Sequence, residues 1–467
     1  MVGGVRKRVA VVGGGIAGLA AALRLRDLAP LDTEIVVYEQ AGALGGKLRT
    51  GELGGVTVER GAESFLMSAP DGGESAAVRL VGRLGLGGSL VHPAAAPAAL
   101  SIGGHLTPIP GGTLMGVPGD LERLDGVARP ATGRDHDEGR PLLAAGADVA
   151  VGELVRARYG DEVVDRLVDP LLGGVYAGRA EQLSLEVTMP QLARAARVEH
   201  TLRAAVRAAQ AGSGRVPGAP VFGAVDGGMT RLVDAAATAS AARISLGLPV
   251  RELARASAGW RLLLGSAPAP RTVEVDAVVL AVPAGPAARL LAGVSPEAAE
   301  AVAVLDYASV ALAGLALPPG TELPDLSGFL VPPSEGTLVK AATFMTRKWA
   351  HLGGDGRPVI VRASLGRAGE ARRLQFDDAV LLERAHRELA ELIGTRLPAP
   401  VASWVQRWGG GLPQYAPGHR DRVAFARAVL PEGLALAGAA LDGVGVPACV
   451  ASGERAADDL SKFLEDQ

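Results

Sequence analysis

A single cysteine, Cys449, stands in a chain of 467 residues. It rules out an internal disulfide framework and any site that needs several thiolates, and it is compatible with a reducing cytoplasm. No stretch approaches the roughly 18 consecutive apolar residues of a membrane-spanning helix, so none is expected. Charge of one sign is also missing. Lys and Arg number 47 against 50 Asp and Glu, the formal net charge is -3, and the pI is about 6.2. Such a balance makes no strong global field for nucleic acid or an anionic membrane. His92, His105, His200 and His419 lack the spacing of a metal set or a catalytic triad, and no acid or base residue is assigned. Arg6, Lys7 and Arg8 before Val9-Ala10-Val11-Val12 resemble a signal peptide, but three glycines stop the run and no small-residue cleavage site follows. A cytoplasmic protein is expected, with peripheral membrane association left open.

What is present is core material. Apolar residues make up 48%, and the 64 glycines and 31 prolines are spread along the chain. The length exceeds what one compact core organises and points to two or three domains of a loop-rich α/β protein. Arg8-Val9-Ala10-Val11-Val12 reads as a buried parallel strand. Ala17 to Leu28 reads as a helix with Leu19, Ala22, Leu23 and Leu25 on its apolar face, and Pro30 lies beyond its end. Glu34-Ile35-Val36-Val37-Tyr38 is a second strand ending on Glu39. Between strand and helix stands Gly13-Gly14-Gly15-Ile16-Ala17-Gly18. In such a fingerprint Gly13 permits the tight turn, Gly15 lets backbone approach a pyrophosphate, and Gly18 lets helix and strand pack closely. The helix N-terminus offers free N–H groups and a partial positive charge to phosphates. Glu39 follows Gly18 by 21 residues, where an acid accepts hydrogen bonds from a ribose diol and disfavours a 2′-phosphate. Strand, glycines, helix, second strand and acid in that order predict dinucleotide binding.

Further along, Gly42-Ala43-Leu44-Gly45-Gly46-Lys47-Leu48-Arg49-Thr50 resembles the double-glycine motif of the flavin amine oxidase superfamily. Gly61-Ala62-Glu63-Ser64 follows Val56-Thr57-Val58-Glu59 and is similar to a segment that lines the flavin there. Near the C-terminus, Leu434-Ala435-Leu436-Ala437 reads as a strand, Gly438 to Pro447 as a loop, and Ala448 to Phe463 as a helix with Pro447 at or before its first turn. In the superfamily that helix points its N-terminus at the flavin, where the helix dipole stabilises negative charge. The resemblance therefore implies FAD held from both chain ends, with the middle of the chain inserted.

Other stretches are similar to the bacterial coproporphyrinogen III/protoporphyrinogen oxidase family specifically. They are Val163 to Gly178 with Asp169-Pro170-Leu171-Leu172-Gly173-Gly174-Val175-Tyr176, then Leu183-Ser184-Leu185 and Met189-Pro190-Gln191-Leu192. Phe222 to Leu232, Val361 to Arg367, Arg407-Trp408, Pro413 to His419, and Asp442 to Pro447 with Cys449 complete the set. The resemblance covers roughly residues 8 to 462 of the sequence. It implies an α/β and α+β protein: a Rossmann-like FAD domain of the p-hydroxybenzoate-hydroxylase type, an inserted mixed-sheet substrate domain and a helical domain. The expected division is 1–75 with 220–290 and 400–467 for FAD, 76–110 with 291–399 for substrate, and 111–219 mostly helical. The expected cofactor contacts are Gly13, Gly14, Gly15, Ile16, Ala17, Gly18, Glu39, Gln40, Gly45, Gly46, Lys47, Leu48, Gly61, Ala62, Glu63, Ser64, Gly438, Val444, Gly445 and Val446. Val250 would meet the adenine through its backbone, and Trp408 would pack near the isoalloxazine.

The implied activity is oxygen-dependent oxidation of coproporphyrinogen III, or of protoporphyrinogen IX, by hydride transfer to FAD. Hydrogen peroxide is the by-product, and the setting is haem synthesis, with transient contact to the next pathway enzyme as an open partner. The chain departs from the family where basic residues are common: Met67-Ser68-Ala69-Pro70-Asp71 and Ala94 to Leu100 carry none, and Ala439 replaces a common Asn. Propionate-binding residues are therefore unassigned. Another amine oxidase or desaturase, or a diverged FAD- and tetrapyrrole-binding protein, remains open. Local pattern further predicts helical stretches over Ala150 to Leu167 and Leu192 to Gln210, a strand from Arg271 to Pro283, and a flexible polar connector over 127–147.

Overall fold

The computed structural model describes residues 7–124, 126–212 and 218–465; Arg6 lies outside them. Arg8–Val12 enters the centre of a five-stranded parallel sheet, flanked by Glu34–Tyr38 on one side and Ala277–Leu280 on the other. Arg243–Ser245 and Leu434–Leu436 close its two edges. Val9, Ala10, Val11, Val36, Val37, Val278 and Val279 are fully buried, as expected for parallel strands covered on both faces.

The helix Ile16–Leu28 is buried on more than the one apolar face the sequence shows: Ala20 and Ala21 are inaccessible as well as Leu19, Leu23 and Leu25. The reason is a second cover. The last helix, Val446–Glu465, crosses it, and Gly453 sits at the crossing, where an added Cβ would stand 2.1 Å from the carbonyl oxygen of Ala17. A side chain there would push the two helices apart. The last helix begins two residues before Ala448, so Pro447 falls in its first turn. The segment before it, read as a loop, holds a single helical turn at Ala439–Asp442.

The stretch Arg271 to Pro283 is two strands, not one. Arg271–Val275 belongs to a three-stranded antiparallel sheet with Val250–Arg255 and Trp260–Leu264, and Ala277–Leu280 to the parallel sheet. Asp276 makes the break: its N–H donates to the Arg8 carbonyl, and its carboxylate accepts the Arg8 N–H at 2.6 Å.

A seven-stranded mixed sheet forms the second layer, in the order Ala402–Gln414, Asp306–Leu317, Val359–Leu365, Val339–Phe344, Gly328–Leu330, Ala98–Ile102 and His105–Pro108. Ala402–Gln414 pairs along its length with Asp306–Leu317, so a boundary drawn at residue 400 places this strand on the wrong side of the sheet layers. One face packs the helix Asp378–Ile393 through Leu381, Ala385, Leu389 and Leu392. The opposite face carries Arg362 and Lys340 toward the Gly61 loop and the helix Asp169–Tyr176.

The third layer is mostly helical and built on Leu154, Val155, Leu167, Leu172, Leu192, Leu202 and Val206. Its helices are shorter than periodicity predicts. Val151–Tyr159 ends at Gly160, whose φ of 86° is closed to most side chains; the chain then resumes through a wide turn at Val164–Val168. Pro190–Ala196 and Leu202–Ala211 are separate helices, the second capped by the Thr201 hydroxyl, which accepts from Ala204 N–H. The connector over 127–147 has little regular structure but is anchored, contrary to expectation. Val127, Ala128 and Leu143 enter the core, and the Asp135 carboxylate accepts the N–H groups of Leu202 and Arg203 at 2.7 and 3.0 Å. Its few apolar residues are too widely spaced to register as periodic.

Gly453→Ala is expected to lower stability by about 1–3 kcal/mol through overpacking, measured as a shift in the urea midpoint at unchanged slope.

Candidate functional site

The turn from the first strand into the first helix packs so tightly that a Cβ on Gly18 would meet the Gly13 carbonyl at 2.0 Å. Gly18 is thus a packing residue. Gly15 differs: an added Cβ there meets nothing within 4 Å. The backbone of Gly15 borders open space beside the helix N-terminus, where the first N–H groups lack intrahelical partners. The second glycine segment runs alongside. Gly45 N–H donates to the Gly14 carbonyl at 2.8 Å, Gly15 and Gly45 form a parallel bridge, and a Cβ on Gly46 would approach Gly15 Cα to 3.4 Å. Ile16, Ala17 and Leu48 are buried, so only their backbone faces this cradle.

Glu39 stands at the end of the second strand. Its carboxylate accepts the N–H of Gly14 and of Ala41, each at 2.7 Å; exposed Gln40 lies between. The Leu248 N–H donates to the Glu39 carbonyl at 3.0 Å, and this brings the segment entering Val250 beside the acid. Val250 itself opens a strand and is half-buried.

Lys47 connects to the third segment. Its carbonyl accepts the Ala62 N–H at 3.0 Å, and a Cβ on Gly61 would stand 1.9 Å from the Lys47 oxygen and 3.4 Å from the Trp408 ring. The Trp408 indole N–H donates to the Arg60 carbonyl at 2.9 Å, so this tryptophan is fixed against the Gly61 loop. The Lys47 ammonium makes no hydrogen bond or ion pair among the described residues. Burial pulls its pKa below the ordinary lysine value, opposed by the neighbouring Cys449. Cys449 lies in the first turns of the last helix, and burial pushes its thiol up to about 11. Lys47 therefore faces the helix that follows Gly438, Val444, Gly445 and Val446. Gly438 and Gly445 are open to added atoms, with only Pro447 Cδ at 3.6 Å from a Cβ on Gly445. Val446 is buried and Val444 half-buried.

Glu63 has a different environment from its neighbours. Its carboxylate is held by the Lys348 ammonium on one oxygen and the Arg362 guanidinium on the other. Burial alone would push its pKa up; the two cations outweigh burial and hold it at about 2. Arg362 also donates to the carbonyls of Glu59 and Gly61 at 3.2 and 3.1 Å. The ion triad therefore positions the Gly61–Ser64 loop from the seven-stranded sheet. Arg362 and Lys348 were missed as site residues by sequence reasoning. Arg362 appeared only as one letter of a motif, and nothing in spacing connects it to a carboxylate 299 residues earlier.

The family model for flavin containing amine oxidoreductase matches residues 16–461. The chain belongs to the flavin-containing amine oxidoreductase family. Within it, the coproporphyrinogen III oxidase of Mycobacterium tuberculosis is 39% identical over 462 residues, 98% of both chains. The coproporphyrinogen III oxidase of Bacillus subtilis is 29% identical, covering 98% of this chain and 99% of that one. A crystal structure of a protoporphyrinogen oxidase-like protein from Exiguobacterium sp. 255-15 superposes with a TM-score of 0.84 at 30% identity, covering 99% of each chain. Cyclohexylamine oxidase from Brevibacterium oxydans shares the fold alone, with a TM-score of 0.70 at 17% identity. The fold is that of the flavin amine oxidases, in its coproporphyrinogen III/protoporphyrinogen oxidase branch, and the protein is an FAD-dependent oxidoreductase. The residues present fit FAD. A glycine cradle stands open at a helix N-terminus, an acid sits at the second strand's end, and a half-buried lysine lacks an anionic partner among the described residues.

Gly15→Ala is expected to fold and melt as the parent does, because its φ of -74° suits alanine and the space is open, yet to bind FAD at least roughly tenfold more weakly; absorbance of dialysed protein checks it. Glu63→Gln leaves two part-buried cations without their counter-charge and is expected to cost about 2–3 kcal/mol, below the full penalty for a broken buried pair. In the parent, the stabilisation from Glu63 is full above the ordinary glutamate value of 4.5 and is lost as pH falls toward 2. The variant's denaturation midpoint should consequently fall less steeply on acidification than the parent's.

Proposed function

We propose that this chain oxidises coproporphyrinogen III to coproporphyrin III with oxygen as final acceptor and hydrogen peroxide as by-product, in haem synthesis. The observation that carries this reading is the near-full-length 39% identity to the Mycobacterium tuberculosis coproporphyrinogen III oxidase, on a fold whose glycine cradle fits FAD. FAD, when bound, supplies the two-electron acceptor that the side chains lack. The chain's own residues bind and orient it. Gly13 to Gly18 hold the pyrophosphate, Glu39 with Gln40 the adenosine ribose, and the Val250 backbone the adenine. Gly45, Gly46, Lys47 and Leu48, Gly61 to Ser64 and Trp408 border the flavin side, and Gly438 with Val444 to Val446 present the last helix to it. The cofactor unit is proposed to combine 1–75, 220–290 and 400–467 except the strand Ala402–Gln414. The substrate unit combines that strand with 76–110 and 291–399, and 111–219 form the helical unit. No helix among the described residues is long and apolar enough to cross a membrane. A cytoplasmic setting is proposed from the single cysteine and the charge balance.

Protoporphyrinogen IX is the second reading, and one observation favours it. Directly beyond the Gly61–Ser64 loop, Leu66 and Phe222 pair on adjacent strands with 48% and 41% of their surfaces exposed. The residues that follow, 67–71, hold no basic side chain. An apolar surface suits a substrate with fewer carboxylates, whereas carboxylates are best met by Arg or Lys.

Anaerobic stopped-flow mixing distinguishes the readings. Bleaching of the FAD-loaded protein should be at least about tenfold faster with coproporphyrinogen III than with protoporphyrinogen IX, an apparent difference of roughly 1.4 kcal/mol. Porphyrin fluorescence and peroxide should follow on admitting air. The opposite order supports the second reading. Bleaching by neither, with FAD bound, overturns both.

A further inference from the structure

The turn that leads into the last helix is held from outside by two buried side chains with no role so far. Gly438 and Gly443 bracket it with φ of 121° and 129°, a region that residues with a side chain rarely enter. Between them lies the helical turn Ala439–Asp442. The Tyr415 hydroxyl donates to the Ala439 carbonyl at 2.5 Å, and His419 Nε2 donates to the Leu441 carbonyl at 3.0 Å. The two rings pack edge to face with centroids 4.8 Å apart. The Asp442 side chain and the Gly438 N–H are bonded as well. The Asp442 carboxylate takes Arg427, Arg455 and the Ser452 hydroxyl, and the Gly438 N–H donates to the same Ser452 oxygen.

Both donors are neutral. Burial pushes the Tyr415 hydroxyl well above its ordinary value and holds His419 below its own. With Nε2 donating to a carbonyl, Nδ1 of His419 carries the lone pair, and that buried atom has no partner among the described residues. Leaving a buried acceptor unpaired costs about 1–3 kcal/mol; a histidine kept there must therefore serve by its other nitrogen. The same segment is anchored on its far side. The Ser184 N–H donates to the Tyr415 carbonyl at 2.7 Å, and the Gln414 amide to the Tyr176 carbonyl at 2.9 Å. The Asp148 carboxylate accepts the Gly418 N–H at 3.0 Å. The Tyr176 ring meets Tyr415 at 5.9 Å. The helical layer thus supports Tyr415 and His419, and these support the turn.

We infer that Tyr415 and His419 are positioning residues for the flavin: by holding the carbonyls of Ala439 and Leu441 they fix how closely the N-terminus of the last helix approaches it. This rests on the proposed placement of FAD at Gly438 and Val444 to Val446. A helix N-terminus stabilises negative charge only within about its first turn. A small displacement of this turn therefore weakens the stabilisation of the reduced, more negative flavin, and lowers the midpoint potential.

The test uses the FAD-loaded full chain and reads midpoint potential, FAD dissociation constant and melting temperature together. Tyr415→Phe keeps the ring and loses only the hydrogen bond. It should shift the potential to more negative values and weaken FAD binding at least about fivefold, that is by roughly 1 kcal/mol. His419→Leu should do the same, while His419→Gln, which retains a donor, should restore both values toward the parent. Tyr159→Phe is the control, since that buried hydroxyl has no partner among the described residues and lies in the helical layer; it should move neither. A Tyr415→Phe protein that melts lower with unchanged potential overturns the inference and leaves a structural staple. Gly445→Val separates the placement from the clamp, because the protein itself offers an added Cβ only an ordinary 3.6 Å contact. Unchanged FAD affinity there overturns the placement and the clamp with it. Lost FAD there, with unchanged potential in Tyr415→Phe, overturns the clamp alone.

Discussion

The crossing of the first and last helices at Gly453 is the constraint on which the rest of this molecule depends. The Ala17 carbonyl lies where a side chain on Gly453 would be, so the two helices meet backbone to backbone. Their approach brings residues from opposite ends of the chain onto one face of one parallel sheet. Everything between them must leave that sheet and return to it. The chain does so through Arg243–Ser245 and Ala277–Leu280, and finally through Leu434–Leu436. The long excursions build the seven-stranded sheet and the helical layer. A cradle assembled from such distant segments needs ties other than strand pairing, and these ties are polar: Arg362 and Lys348 on Glu63, Tyr415 and His419 on the turn after Gly438.

These ties differ in electrostatic character. The Glu63 triad is charged, with a buried carboxylate between two part-buried cations, so it is stabilising only while complete; losing one member leaves ions without a counter-charge where water screens them poorly. The Tyr415–His419 pair is neutral, and it holds the turn after Gly438 without adding charge. Neutral donors fix the geometry of that turn and leave the field there to the helix dipole and to the Lys47 ammonium beside Cys449. Lys47 makes no hydrogen bond or ion pair among the described residues, and FAD is the partner proposed for it.

Much of the cofactor side was legible in the sequence. The strand, glycine fingerprint, helix, second strand and Glu39 are local features, and each has a physical signature within a few residues. The middle of the chain was harder to read. The helices over 150–211 are broken at Gly160 and at Arg197 to Thr201, where hydrophobic periodicity continues across the breaks. The strand read over Arg271 to Pro283 divides at Asp276 because of a bond to Arg8, and no window around Asp276 contains Arg8. The segment 127–147 lacks periodicity, yet Asp135 docks it on the helix at Leu202.

The sequence by itself determined the dinucleotide fingerprint, because strand, glycines, helix and acid carry a local physical signature; the family and the cofactor followed from the resemblance of its motifs. Only the tertiary structure decided that Gly453 serves helix packing while Gly445, eight residues earlier, faces open space. It also decided that Glu63 answers to two cations and that His419 donates to a carbonyl. Those assignments depend on which atoms lie within about 3 Å of each other after folding, and separation along the chain carries no record of that distance.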